Sequence, residues 1–250
     1  KAKEIINQAK LCGADAVKLQ TYTADTITLN SSKKDFVIDG GLWHGRTLYD
    51  LYVQAHMPWE WHKPLFEYAR DIDLTIFSSP FDSTAVDLLE DLNAPAYKIA
   101  SFEAIDIPLI KYVAETKKPM IISTGMANLE EIEEAINAAH DSGCNELAIL
   151  HCVSGYPASA KDYNLKTIQD MRSRFKIVTG LSDHTLDNVT AISSIPLGAS
   201  IIEKHFTFDK DQEGNDHKVS LLPGEFKQMV QGIKEVSSSL GTNIERSLTQ

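Results

Sequence analysis

His184 and His205 are the residues from which a chemistry can most directly be argued. Each stands just past a short β-forming run, the first at 177–179 and the second at 200–202. Neighbouring strands lie about 5 Å apart, so imidazoles at matching ends of consecutive strands can reach one divalent ion. Two nitrogen ligands leave positions for oxygen donors, substrate and water, which suits Mn²⁺, with Mg²⁺ or Co²⁺ as alternatives. A single histidine here would be explained as a hydrogen-bonded core residue; two at matching positions point to a metal. Lys18 and Lys98 sit just inside the ends of two other runs. A lysine is costly to bury there unless it meets an anion or serves as a Schiff-base nucleophile. Ser79, Ser101, Ser123 and Ser182 occupy comparable places and could donate hydrogen bonds to a phosphate or carboxylate, although each alone is equally explained as a turn or cap.

These residues need a frame that brings run ends together. Apolar periodicity predicts helix over 1–11, stopped by Gly13, then a strand at 15–19 and a long stretch over 21–57. A helix is expected to open at Pro58, with Trp61, Leu65, Tyr68 and Ala69 at helical spacing. Regular pairs follow. Strands are expected at 74–77, 96–99, 120–122, 147–150, 177–179 and 200–202, and helices after Asp82, near 107–115, over 128–141, near 164–174, near 187–196 and over 223–240. Asn128 reads as an N-cap, with Glu131 closing a capping box.

Seven strands and eight helices in strict alternation predict an α/β protein, a parallel (β/α)8 TIM barrel, which typically takes about 250 residues. The competing doubly wound sheet lacks its signals: no Gly-x-Gly-x-x-Gly opens the first helix and no Walker-type Gly-Lys-Ser/Thr occurs. Because the pattern begins on a helix, the first strand is expected upstream of Lys1, and the chain is expected to be a barrel fragment. In such barrels the active site lies at the C-terminal strand ends. The residues there are Lys18 and Gln20; Ser78 and Ser79; Lys98 and Ser101; Ser123 and Thr124; His151, Ser154 and Tyr156; Ser182 and His184; Glu203 and His205. Every end is polar, a ring that packing alone does not require.

Composition narrows the partners. The 24 Lys+Arg against 35 Asp+Glu give a net charge of −11, which repels nucleic acid and leaves local basic pockets for anions. No run approaches the ~18 apolar residues of a membrane span. Three cysteines, Cys12, Cys144 and Cys152, fit a reducing compartment, and the cytoplasm is expected. Adjacent His151 and Cys152 face opposite sides of a strand, which argues against a Cys–His nucleophilic pair and leaves Cys152 as packing. His56 and His62, with Trp59 and Trp61, read as a structural loop–helix junction, and 130–134 as a solvated helix start.

Six motifs, ADAVKLQTY (14–22), FSSPFD (77–82), AYKIASFE (96–103), ISTGMA (122–127), LSDHTLDN (181–188) and EKHFT (203–207), resemble the sialic acid synthase (N-acetylneuraminate synthase-like) family over nearly the whole chain. The stretch 26–52 followed by PWEWH (58–62) is most similar to the pseudaminic acid branch. EGNDHKVSL (213–221) looks more like the neuraminate or legionaminate branch, which is kept as the alternative. The resemblance implies metal-dependent condensation of phosphoenolpyruvate with an N-acylated hexose, 2,4-diacetamido-2,4,6-trideoxy-altrose, releasing phosphate and giving a nine-carbon acidic sugar. It places His184 and His205 as metal ligands, and Lys18, Gln20, Ser79, Lys98, Ser101, Ser123, Ser154 and Ser182 around the substrates. Glu103, Tyr156 and Asp216 are implied as catalytic residues facing the acceptor sugar or a metal-bound water.

The family's first strand carries a glutamate acting as acid or base, and its C-terminal antifreeze-like domain contributes an arginine to a partner subunit. The resemblance therefore implies a homodimer, a barrel domain at 1–241, the start of a linker at 242–250, and completion of catalysis by segments beyond this chain. Two other classes stay open: a Schiff-base aldolase using Lys98 or Lys18, and a catalytically incomplete binding module.

Overall fold

The structure is a computed structural model that describes residues 1–40, 43–212 and 214–241. The expected linker at 242–250 lies outside the described residues. Those described form two compact units, one of residues 1–10 and 14–149, the other of residues 11–13 and the chain from Leu150 onward.

In the first unit, α1 (Ala2–Leu11) leads to β1 (Ala16–Thr21), and two helices, α2 (Ala24–Ile27) and α3 (Leu48–Ala55), precede α4 (His62–Asp71). Then β2 (Thr75–Pro80), α5 (Ser83–Asp91), β3 (Tyr97–Ile99), α6 (Ile107–Glu115), β4 (Met120–Ser123) and α7 (Leu129–Asp141) alternate strictly, and β5 (Leu147–Cys152) begins in this unit and ends in the second. Strands β1 to β4 pair in chain order, all parallel. Side-chain caps start the helices. Asp82 accepts from the N–H groups of Thr84 and Ala85, Asp106 from that of Leu109, and Asn128 and Glu131 cap each other reciprocally as expected. Left-handed residues end several: Asp73, Asn93 and Lys117 have φ of 52°, 53° and 60° and turn the chain toward the next strand.

The second unit contains α8 (Thr167–Phe175), β6 (Val178–Asp183), α9 (Val189–Ser194), β7 (Ile201–Lys204), α10 (Asn215–Val219) and α11 (Pro223–Leu240). Strands β6 and β7 are parallel and very close. A Cβ on Gly180 would stand 2.3 Å from the Ile201 carbonyl oxygen, so only glycine fits. Tyr163, Ile168 and Leu181 are buried in one core cluster, and Ala191, Leu221 and Met229 in another.

The seven expected strands are all present among the described residues, but eleven α-helical segments replace the expected eight. Helices α2, α3 and α10 fall within 21–57 and 203–222, where the periodicity predicts no helix. α3 has only a short apolar face, Leu48, Leu51 and Tyr52, each partly buried, and Thr47 holds its start by accepting from the Asp50 N–H. The helix expected from Pro58 begins as a 3-10 turn (Trp59–Trp61), and α4 starts only at His62. Strands β2 and β6 run through the polar residues expected beyond their ends, which decides the faces those residues occupy. Among the described residues no helix is long and apolar enough to cross a membrane.

Candidate functional site

The first unit assembles a polar sheet face. Register aligns Gln20 with Ser79 and Lys98 with Ile121, while Ser78 opposite Tyr97 sets Ser79 beside Lys98. Alternate residues of a strand share a face. Lys18, Gln20, Ser79, Lys98 and Ser123 therefore project from one side of four consecutive strands. Lys98 is 2% exposed, and the buried Ser79 and Ser123 hydroxyls have no hydrogen-bond partner. Unsatisfied buried hydroxyls cost about 1–3 kcal/mol each, and an anionic ligand accepting from both would remove that cost. Ser101 follows β3, and its Oγ accepts from the Gly125 N–H at 3.2 Å.

Ser78 does not join this face. It points to the opposite side, 2.7 Å from Thr21 Oγ1, which corrects its place in the expected ring.

Glu103, in the turn after β3, is largely buried and its Oε2 has no partner. Burial pushes its carboxyl up to about 7, against the pull of Lys98. Burial and then the Glu103 charge push the Tyr52 hydroxyl of α3 upward. A carboxyl near neutrality can give or take a proton at physiological pH.

The second unit gathers two imidazoles and an aromatic ring. The His184 and His205 rings are 5.3 Å apart, and Tyr156 lies over His184 at 4.2 Å with its edge toward His205 at 6.0 Å. His184 Nδ1 is 2.9 Å from the Val153 carbonyl, and the Tyr163 hydroxyl accepts from the His184 N–H at 2.7 Å. Burial lowers the His184 imidazole, but the Cys152 sulfur and the Val153 carbonyl outweigh it and the net direction is upward. Asp216, on α10, stands 3.9 Å from His205 Nδ1, and Ser182 donates to Glu203 at 3.3 Å. Ser154 is half-buried in the loop after β5.

Among the described residues no group of three His, Cys, Asp or Glu side chains is arranged to hold a metal ion. The paired imidazoles fit one that is completed by water and substrate oxygens.

The NeuB family model matches residues 5–245. The chain belongs to the NeuB family. It is 45% identical over 96% of its length to a pseudaminic acid synthase of Campylobacter jejuni, spanning 70% of that protein, and 46% identical over 96% to one of Helicobacter pylori, spanning 71%. It also resembles the crystal structure of N-acetylneuraminic acid (sialic acid) synthetase from Leptospira borgpetersenii, at a TM-score of 0.88 and 28% identity, covering 98% of this chain and 81% of that one.

Several residues of this NeuB chain escaped sequence reasoning. Lys204 Nζ lies 2.8 Å from Asp183 Oδ2 with both side chains 0% exposed, and it also donates to the Thr185 and Asp187 carbonyls. It thus ties down the loop that carries His184. Only the β6–β7 register, which sets Asp183 opposite Lys204, shows the pairing. Cys152 is more than packing, since its sulfur is 3.9 Å from His184 Nδ1. His151 instead bonds the Tyr163 carbonyl, so the two adjacent residues do diverge.

Proposed function

We propose that this NeuB chain is the synthase domain of a pseudaminic acid synthase, condensing phosphoenolpyruvate with 2,4-diacetamido-2,4,6-trideoxy-altrose and releasing phosphate. One observation carries the phosphoenolpyruvate part: two lysines aligned on a sheet face with two buried hydroxyls, Ser79 and Ser123, that lack partners. Lys18 and Lys98 offset the ligand's negative charge, and the serines donate to its oxygens. C3 of phosphoenolpyruvate forms a bond to the sugar's aldehyde carbon, the aldehyde oxygen takes a proton, water adds at C2, and phosphate departs. Glu103, poised near neutral, supplies or collects a proton. Tyr156 and Asp216, which stand by the histidines, are assigned to the acceptor sugar on family resemblance.

His184 and His205 would hold a divalent metal, Mn²⁺ being the one proposed, which supplies Lewis-acid polarisation of the acceptor oxygen. Identity to the two pseudaminic acid synthases favours the altrose-type sugar over the neuraminate or legionaminate substrates. Strict strand–helix alternation supports a (β/α)8 barrel as the frame. A homodimer in the cytoplasm belongs to the same proposal and rests on family resemblance.

The test is phosphate release from phosphoenolpyruvate with Mn²⁺ by the intact protein, offered the altrose-type diacetamido sugar or N-acetylmannosamine. Release that depends on the altrose-type sugar and disappears in His205→Ala supports the proposal. Preference for N-acetylmannosamine would move the protein to the neuraminate branch. A borohydride-trapped pyruvate adduct on Lys98 would replace the synthase with an aldolase.

A further inference from the structure

On the reverse of the cradle face, Thr21, Ser78 and His62 are each 0% exposed and bonded in series. Ser78 Oγ is 2.7 Å from Thr21 Oγ1, Thr21 Oγ1 is 2.8 Å from His62 Nε2, and His62 Nδ1 is 3.1 Å from the Trp59 carbonyl. Donor accounting fixes the direction. A carbonyl only accepts, so Nδ1 carries the proton. Burial holds the imidazole below its usual value and therefore neutral, leaving Nε2 as an acceptor. Thr21 must then donate to His62, and Ser78 to Thr21.

This chain of hydrogen bonds links three places. Thr21 and Ser78 are the immediate neighbours of Gln20 and Ser79, which the register pairs on the opposite face. His62 begins α4, where the excursion through α2 and α3 returns to the sheet. A second tie closes the same joint, the Trp59 indole donating to the Tyr22 carbonyl at 3.3 Å. A hydroxyl that rotates freely fixes nothing; one committed as both donor and acceptor in a buried series has a single arrangement.

We infer that His62 is a positioning residue: through the one-way series Ser78 to Thr21 to His62 it holds the ends of β1 and β2 in line, and with them Gln20 and Ser79 of the anion cradle. Resting on the phosphoenolpyruvate assignment above, it makes the junction before α4 part of that ligand's site.

Thr21→Val keeps the shape and removes the hydroxyl, whereas Thr21→Ser keeps the hydroxyl. The intact variants would be compared by phosphoenolpyruvate calorimetry, by steady-state kinetics, and by ¹⁵N NMR of the histidine rings. Thr21→Val is expected to raise both Kd and KM for phosphoenolpyruvate about tenfold, leaving kcat and the sugar KM within about twofold, with Thr21→Ser near wild type. Wild-type His62 should show the neutral, Nδ1-protonated ring. If Thr21→Val does not fold, Ser78→Ala, which removes only the first donor, should still weaken phosphoenolpyruvate about threefold. Unchanged phosphoenolpyruvate binding in the folded variants, Thr21→Ser as impaired as Thr21→Val, or an Nε2-protonated His62 would each overturn the inference. Wild-type protein that binds no phosphoenolpyruvate would instead overturn the functional assignment, and this role with it.

Discussion

The His184 imidazole is turned by Val153: its Nδ1 lies 2.9 Å from that residue's carbonyl oxygen. Because the carbonyl can only accept, Nδ1 keeps the proton, which leaves the Nε2 lone pair to the proposed metal. With the His205 ring 5.3 Å away, the two form a preset pair. His184→Ala and His205→Ala should therefore each weaken Mn²⁺ binding by about 100-fold or more. Electron paramagnetic resonance of free Mn²⁺ measures this, with circular dichroism confirming an intact fold. Undiminished Mn²⁺ binding by both variants would remove the metal site from these residues.

The buried Lys204–Asp183 pair should behave as a structural clamp. Lys204→Met leaves the Asp183 carboxylate in the interior without its cation, which typically costs about 3–5 kcal/mol. Burial alone lowers the Lys204 amine and Asp183 opposes that shift, so the pair is mutually dependent. The double variant Lys204→Met with Asp183→Asn should lose clearly less than Lys204→Met alone. Urea unfolding reads both, and a loss below about 1 kcal/mol in the single variant contradicts a buried charge pair.

For Ser79 and Ser123, stability and binding should part company. Each hydroxyl is buried without a partner, so Ser79→Ala or Ser123→Ala removes an unmet polar group and should leave stability unchanged or raise it by up to about 2 kcal/mol. If the hydroxyls serve an anion, the same variants should bind phosphoenolpyruvate several-fold more weakly. Thermal melts and calorimetry on the same preparations compare the two effects. Loss of stability with unchanged binding would make the serines structural.

What could be read in the sequence follows from how local each signal is. The Asn128–Glu131 capping box involves residues three apart, and it forms as read. Lys18 and Lys98 were locatable because a charge inside an apolar run stands out. Helix α3 was not, since its apolar face, Leu48, Leu51 and Tyr52, is barely one turn long and does not stand out within the stretch 21–57. The separate faces of Ser78 and Ser79 depend on β2 continuing to Pro80, whereas the apolar run ends at Phe77. Lys204–Asp183 and Cys152–His184 join different strands or loops, and spacing along the chain does not encode such contacts.

Glu103 should leave a signature in both stability and rate. Its carboxyl titrates near 4.5 when the chain is unfolded and at about 7 in the fold. Between those values the folded state binds more protons than the unfolded state, so the contribution is present in full below pH about 4.5 and is lost as pH rises through about 7. Glu103→Gln cannot lose a proton and should flatten that part of the stability–pH curve, leaving the variant relatively more stable at pH 8 than at pH 4. If the same carboxyl exchanges a proton with substrate, the wild-type kcat should change with an apparent pKa near 7, and the variant should lose that inflection along with about 10²-fold or more of its rate. Stability–pH curves from urea midpoints, set beside kcat–pH profiles, separate the two roles. A flattened stability curve with an unchanged rate profile would keep Glu103 buried but take it out of the proton transfer.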